Sequence, residues 1–72
     1  MPIASTLKMG EEAMIVRFTD EKIEGKLTSM GMMPGSTLMM IRKAPFGGGF
    51  YVKIDGVNIA MRLYEMQQII VG

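Results

Sequence analysis

Met30, Met32 and Met33 form the densest cluster of potential metal ligands in the sequence. Thioethers are soft ligands suited to Cu(I), whereas Fe(II) prefers imidazole and carboxylate. The chain has ten methionines but no histidine and no cysteine, so nothing is present to complete an iron or zinc site of the usual kind. The same absence removes the Cys/His dyad, the serine triad with an imidazole base and the common zinc catalysts. Asp20, Glu21 and Glu24 are the nearest carboxylate group. They fall at the start of a predicted helix, where capping and solubility are their default roles. Gly47-Gly48-Gly49 lacks the Gly-Lys-Ser/Thr ending and the following helix of a phosphate-binding loop and reads as a hairpin loop. The expectation is a protein without catalytic residues, cofactor or metal site.

The scaffold that must position these residues is small. Area scaling for 72 residues gives a folded surface of about 4,450 Å² against about 11,600 Å² unfolded, so roughly 60% of the surface is buried on folding. Disulfides and thiolate zinc sites cannot supplement that core, which leaves a well-closed barrel or bundle, with or without association. Eight basic residues oppose seven acidic ones, too small an excess to steer the chain to nucleic acid by bulk charge. The excess is unevenly placed, at −1 over residues 1–36 and +2 over residues 37–72. Aliphatic and methionine runs such as Ala13 to Val16 and Leu38 to Ile41 reach four residues, far below the roughly 20 of a membrane span. The first residues lack the pattern of a signal peptide, and a cytosolic protein with no direct membrane insertion is expected.

Nothing marks a linker or repeat, so the whole chain, residues 1–72, is expected to form one domain. Period-two alternation predicts a strand over Ala13 to Phe18, with Met14, Val16 and Phe18 on one face and Ile15 and Arg17 on the other. Thr19 and Asp20 offer N-caps for a short helix carrying Ile23, Leu27 and Met30 as one apolar stripe, and Gly31 sits where a left-handed stop is wanted. Met33-Pro34-Gly35-Ser36 predicts a type II turn. Thr37 to Lys43 reads as a second strand, with Leu38, Met40 and Arg42 on one face and part of both faces covered. After the loop at Ala44 to Gly49, Phe50 to Ile54 and the strand from Val57 form a hairpin around Asp55-Gly56, the strongest type I′ signal in the chain. A helical turn through Leu63 to Gln67 and a last strand over Ile69 to Val71 complete a mostly β fold of about five antiparallel strands, closed to remove its edges.

The string Leu27-Thr28-Ser29-Met30-Gly31-Met32-Met33-Pro34-Gly35-Ser36, followed by Arg42-Lys43-Ala44-Pro45-Phe46-Gly47 and by Asn58-Ile59-Ala60-Met61-Arg62, resembles the FeoA family from about Leu7 to Val71. That resemblance implies a small SH3-like barrel in the bacterial cytosol, an accessory to FeoB, the membrane ferrous-iron transporter with a GTP-binding domain. It also implies recruitment to the inner face of the membrane by that partner, and the family carries a general association with transition metals. A similar domain ends repressors of the diphtheria-toxin-repressor type. Gly48-Gly49 stands where many members show Gly-Asp-Pro, which loosens this loop.

Two readings of the methionines compete. Core filling would take Met14, Met30, Met39 or Met40, and Met61, because the side chain adapts to irregular gaps. A partner surface would use Met32 and Met33, which flank the helix end where one or both should be exposed. The expected docking surface is Leu27, Met30, Met32 and Met33, with Phe46 from the loop. The alternatives are a nucleic-acid-binding or repressor-related barrel using Arg42, Lys43, Lys53, Arg62 and Tyr51, and a self-associating module whose exposed methionines meet in a homo-oligomer. A solvated face is the simpler reading of the basic residues, so no nucleic acid is expected.

Overall fold

The computed structural model describes residues 2–72. Among these residues, five strands form one antiparallel sheet: β1 (Glu12–Phe18), β2 (Thr37–Lys43), β3 (Phe50–Ile54), β4 (Val57–Met61) and β5 (Ile69–Val71), in the order β4-β3-β2-β1-β5. Helix α1 (Glu21–Ser29) links β1 to β2, and the single turn α2 (Leu63–Met66) links β4 to β5. Short 3₁₀ turns occupy Ala4–Thr6 and Pro45–Gly47, the first of which the sequence pattern does not announce. The sheet curls so that Ile15, Leu38, Met40, Val52, Met61 and Ile69 share one core with Leu27 of α1. Its accessible surface is 4425 Å², close to the scaling expectation of about 4,450 Å².

Both predicted turns form. Asp55 and Gly56 have φ of 47° and 87°, the two positive values that a type I′ hairpin turn requires. At the other turn the Ser36 N–H donates to the Met33 carbonyl at 3.0 Å. Ile15 is fastened to that turn through both backbone groups, donating to the Ser36 carbonyl and accepting from the Gly35 N–H, each at 2.8 Å.

Two irregularities overturn the simple alternation. Against β5, Ile15 pairs with Val71 and Arg17 with Ile70, so Val16 is an extra residue on β1. Such a bulge sets two residues against one and reverses the facing of whatever follows. Ile15 and Phe18 are therefore both buried, while Met14 and Val16 are exposed. The expected face of Met14, Val16 and Phe18 is thus corrected, and Met14 leaves the core. In β2, Met40 pairs with Val52 and Arg42 with Tyr51, which makes Ile41 the extra residue. Arg42 consequently turns to the outer face, where its guanidinium lies 5.1 Å from the Tyr51 ring centre. Ile41 on that outer face is exposed, so the second apolar face of β2 is not covered there.

Closure of the sheet differs from expectation as well. β4 and β5 stand at opposite ends of the strand order and share no ladder. The β5 edge is covered by the N-terminal segment, through an Ile3–Ile70 bridge and a 3.0 Å hydrogen bond from the Val71 N–H to the Pro2 carbonyl. The β4 edge has no strand beside it among the described residues.

The glycine-rich loop is tied down rather than loose: Ala44 donates to the Gly49 carbonyl at 2.8 Å and Gly48 to the Pro45 carbonyl at 3.1 Å. Gly49 has φ of 110°, and a Cβ placed there would meet the Met61 carbonyl oxygen at 2.8 Å. Gly49→Ala therefore has both a forbidden φ and a backbone clash to relieve. We expect it to destabilise the fold by at least about 1 kcal/mol and to lower the melting temperature by about 5 °C or more in calorimetry. Gly25→Ala, at an unobstructed helical position, is expected to raise the melting temperature instead.

Candidate docking surface at the end of the first helix

Helix α1 is fixed at both ends. Asp20 is the N-cap, its Oδ1 accepting the N–H groups of Lys22 at 2.8 Å and Ile23 at 3.1 Å. At the C-terminus, the Met32 N–H donates to the Leu27 carbonyl at 2.9 Å and the Gly31 N–H to the Thr28 carbonyl at 3.0 Å. These are the paired hydrogen bonds of a Schellman motif, which needs a left-handed residue after the C-cap. Gly31 supplies it with φ of 91°. The motif also brings the side chain following the glycine against the one five positions earlier, here Met32 against Leu27.

That geometry divides the expected docking residues. Leu27 and Met32 are both 0% exposed and belong to the core. They are corrected from surface to scaffold, because the helix stop turns both into the core. Met30 at the C-cap and Met33 beyond it are 43% and 48% exposed. Met30 therefore ends the apolar stripe outside the core, which Ile23 and Leu27 alone enter. Met14 lies directly opposite Thr37, the first residue after the turn, and adds an exposed methionine at this end of the sheet. The core methionines are Met32, Met40, Met61 and Met66. The pattern Leu-x-x-Met-Gly-Met carries the signal that separates Met32 from Met30, once the helix stop is read as a Schellman motif.

Phe46 is not brought to this surface. The Met33–Ser36 turn precedes β2 and Phe46 follows it, so they lie at opposite ends of that strand. Phe46 is fully exposed with φ of 57°, a backbone position that costs a bulky residue of order 1 kcal/mol.

The flank of α1 is held to α2 by an ion pair. Lys26 Nζ meets Glu65 Oε2 at 2.5 Å, and Glu65 Oε1 accepts the Arg62 N–H at 2.9 Å. Glu65 is 4% exposed. Burial pushes its carboxyl up, but the hydrogen bonds from Lys26 and the Arg62 amide, with the charges of both residues, outweigh that and hold it below its ordinary value. The hydrogen bond to Glu65 and its charge raise Lys26 above its ordinary value. Among the described residues, no three carboxylates converge as a metal site. No helix there is long and apolar enough to cross a membrane.

The FeoA domain model matches residues 2–72. The chain belongs to the FeoA domain family. Its fold is similar to the solution structure of iron(II) transport protein A from Clostridium thermocellum, with 32% identity and a TM-score of 0.88 over 97% of this chain and 44% of that one. This chain thus spans less than half the length of that relative. FeoA of Stenotrophomonas maltophilia, solved in complex with zinc and described as a prokaryotic SH3 domain protein, is 23% identical with a TM-score of 0.84, covering 100% of this chain and 91% of that one. A manganese-dependent transcriptional repressor in complex with manganese shares the fold at 22% identity and a TM-score of 0.89, over 99% of this chain and 35% of its own. Curated protein sequences give no match.

Two predictions follow from how this FeoA domain holds its helix. Leu27→Ala and Met32→Ala should each cost about 2–5 kcal/mol, whereas Met30→Ser and Met33→Ser should stay within about 0.5 kcal/mol in chemical denaturation. Because the Glu65 carboxyl is lowered on folding, its stabilisation is complete above the ordinary value near 4.5 and disappears as pH falls through the lowered value. Glu65→Gln, which keeps an acceptor for the Arg62 amide, should reduce stability at neutral pH and flatten its decline below pH 4.5, read as melting temperature against pH.

Proposed function

We propose that this FeoA domain is a non-enzymatic accessory of ferrous iron uptake, docking on the cytosolic region of a FeoB-type transporter and modulating its assembly or GTP-linked activity. The observation that carries the reading is the division at the helix end: Leu27 and Met32 are locked inside while Met30 and Met33 stand exposed on the same rigid turn. Exposed methionines suit a contact that must adapt to its partner, and a turn fixed by a Schellman motif presents them with little ordering entropy to lose. Membership of the FeoA domain family and 32% identity to iron(II) transport protein A of C. thermocellum support this role. The likeness to the manganese-dependent repressor, at 22% identity, concerns the fold alone.

The test is titration of the transporter's purified cytosolic region with this chain. Met30→Asp combined with Met33→Asp is expected to weaken binding by about tenfold or more, equivalent to about 1.4 kcal/mol, with little change in melting temperature. Unchanged binding by that folded variant would sink the surface assignment. Met32→Asp is no substitute, because it would place a charge in the core.

A further inference from the structure

A second surface, independent of the helix end and of the transporter reading, lies along β4. Its two-residue turn makes Ile54–Val57 a hydrogen-bonded pair, and Val52–Ile59 and Phe50–Met61 follow in the same register. The backbone groups of Asn58 and Ala60 therefore point away from β3, along the open edge. Natural proteins blunt such edges with lysine, proline, a bulge or a covering segment. Val57-Asn58-Ile59-Ala60-Met61 has no charge and no proline, and its register with β3 is unbroken. The opposite edge, β5, is covered by Pro2 and Ile3.

The face beside this edge is shaped and charged. Two rows of paired residues cross it, Arg42–Tyr51–Ala60 and Met39–Lys53–Asn58. The short side chains of Asn58 and Ala60 leave a groove of about 350 Å³ walled by Ile41, Arg42 and Tyr51. Arg62, the first residue after β4 and the N-cap of α2, lies two positions beyond Ala60. Among the described residues, the ion pair that forms is Lys26–Glu65, so Arg42 and Lys53 have no carboxylate partner there, while Arg62 acts on Glu65 through its charge without a direct ion pair. The neighbouring acid, Asp55, accepts the Thr37 N–H at 3.0 Å.

We propose that the β4 edge accepts an extended segment of a partner protein as a sixth strand, with the pattern acidic–x–aromatic–x–acidic. Adjacent strands lie about 4.8 Å apart, so a residue opposite Ala60 would lay a large side chain over it against Tyr51. Residues two positions to either side would set carboxylates beside Lys53, across Asn58, and beside Arg62. Main-chain hydrogen bonds supply affinity in this mode and alternate side chains supply specificity. A second copy of this chain fits less well, because antiparallel pairing of two β4 edges would juxtapose two sets of basic residues and leave the groove facing only Asn58 and Ala60.

The probe is the blocked peptide Thr-Glu-Val-Phe-Val-Glu-Thr, titrated into isotope-labelled protein and followed by amide NMR. The expected result is that the Asn58 and Ala60 amides shift and gain protection from exchange, with the Tyr51 ring perturbed. Replacing both glutamates of the peptide by lysine should weaken binding about tenfold. N-methylating the peptide's edge-facing amides should abolish it. Ala60→Pro removes an outward N–H at an edge position that tolerates proline and should abolish it as well, while the N-methylated peptide gives the same information with the fold untouched. Absence of binding, shifts confined to other residues, or equal binding of the N-methylated peptide would overturn the proposal. So would Asn58 and Ala60 shifts that track protein concentration alone, which would assign the edge to a second copy, or tighter occupation of the same residues by an oligothymidylate.

Discussion

The Schellman stop at the left-handed Gly31, which carries both Leu27 and Met32 into the core, is the constraint on which most of this molecule depends. With no disulfide or zinc site available to its composition, the chain must convert a nine-residue helix into a rigid part by local means. The Schellman motif does so by satisfying two helix-end carbonyls and sealing an apolar pair in the same step. The chain leaves the motif directly into the Met33–Ser36 turn, whose backbone grips both groups of Ile15 on β1. One short stretch thereby fixes the helix, the entry into β2 and the start of the β1 ladder. Met30 and Met33 are exposed because this lock leaves them no place inside.

The same economy governs the sheet. A flat alternating sheet of this size could not wrap a core, and one-residue bulges at Val16 and Ile41 supply local twist and bending. Each bulge also redirects side chains. The first buries Ile15 together with Phe18. The second places Arg42 over Tyr51 on the outside. The result has one edge covered by the N-terminal segment and the other open along β4.

Much of this was legible in the sequence, and the failures have a common cause. Strand and helix positions followed from alternation and from the Pro-Gly, Asp-Gly and Gly31 signals, which act over two or three residues. Facing did not, because a bulge is a property of the pairing between strands: nothing in Met14-Ile15-Val16 says which residue β5 will leave unmatched. The expected closure by strand pairing fails for the same reason, since the decision between pairing β4 with β5 and covering β5 with Pro2 and Ile3 is made by segments far apart in the chain. At the candidate site, burial divides residues that the sequence pattern groups together. Nearness to the helix end suggests a surface position for Leu27 and Met32, although their separation across Gly31 is what a Schellman motif requires. Phe46 does not join them, because β2 lies between.

A chain rich in methionine and devoid of cysteine and histidine thus uses one side chain in two ways, as core filler at Met32, Met40, Met61 and Met66 and as adaptable surface at Met30 and Met33. Methyl labelling of methionine makes that division directly observable. With the transporter's cytosolic region added to methyl-labelled protein, the account predicts that the Met30 and Met33 resonances shift or broaden first while those of the buried methionines and of Met9 change least. Perturbation of Met9 with Met30 and Met33 unmoved would contradict it.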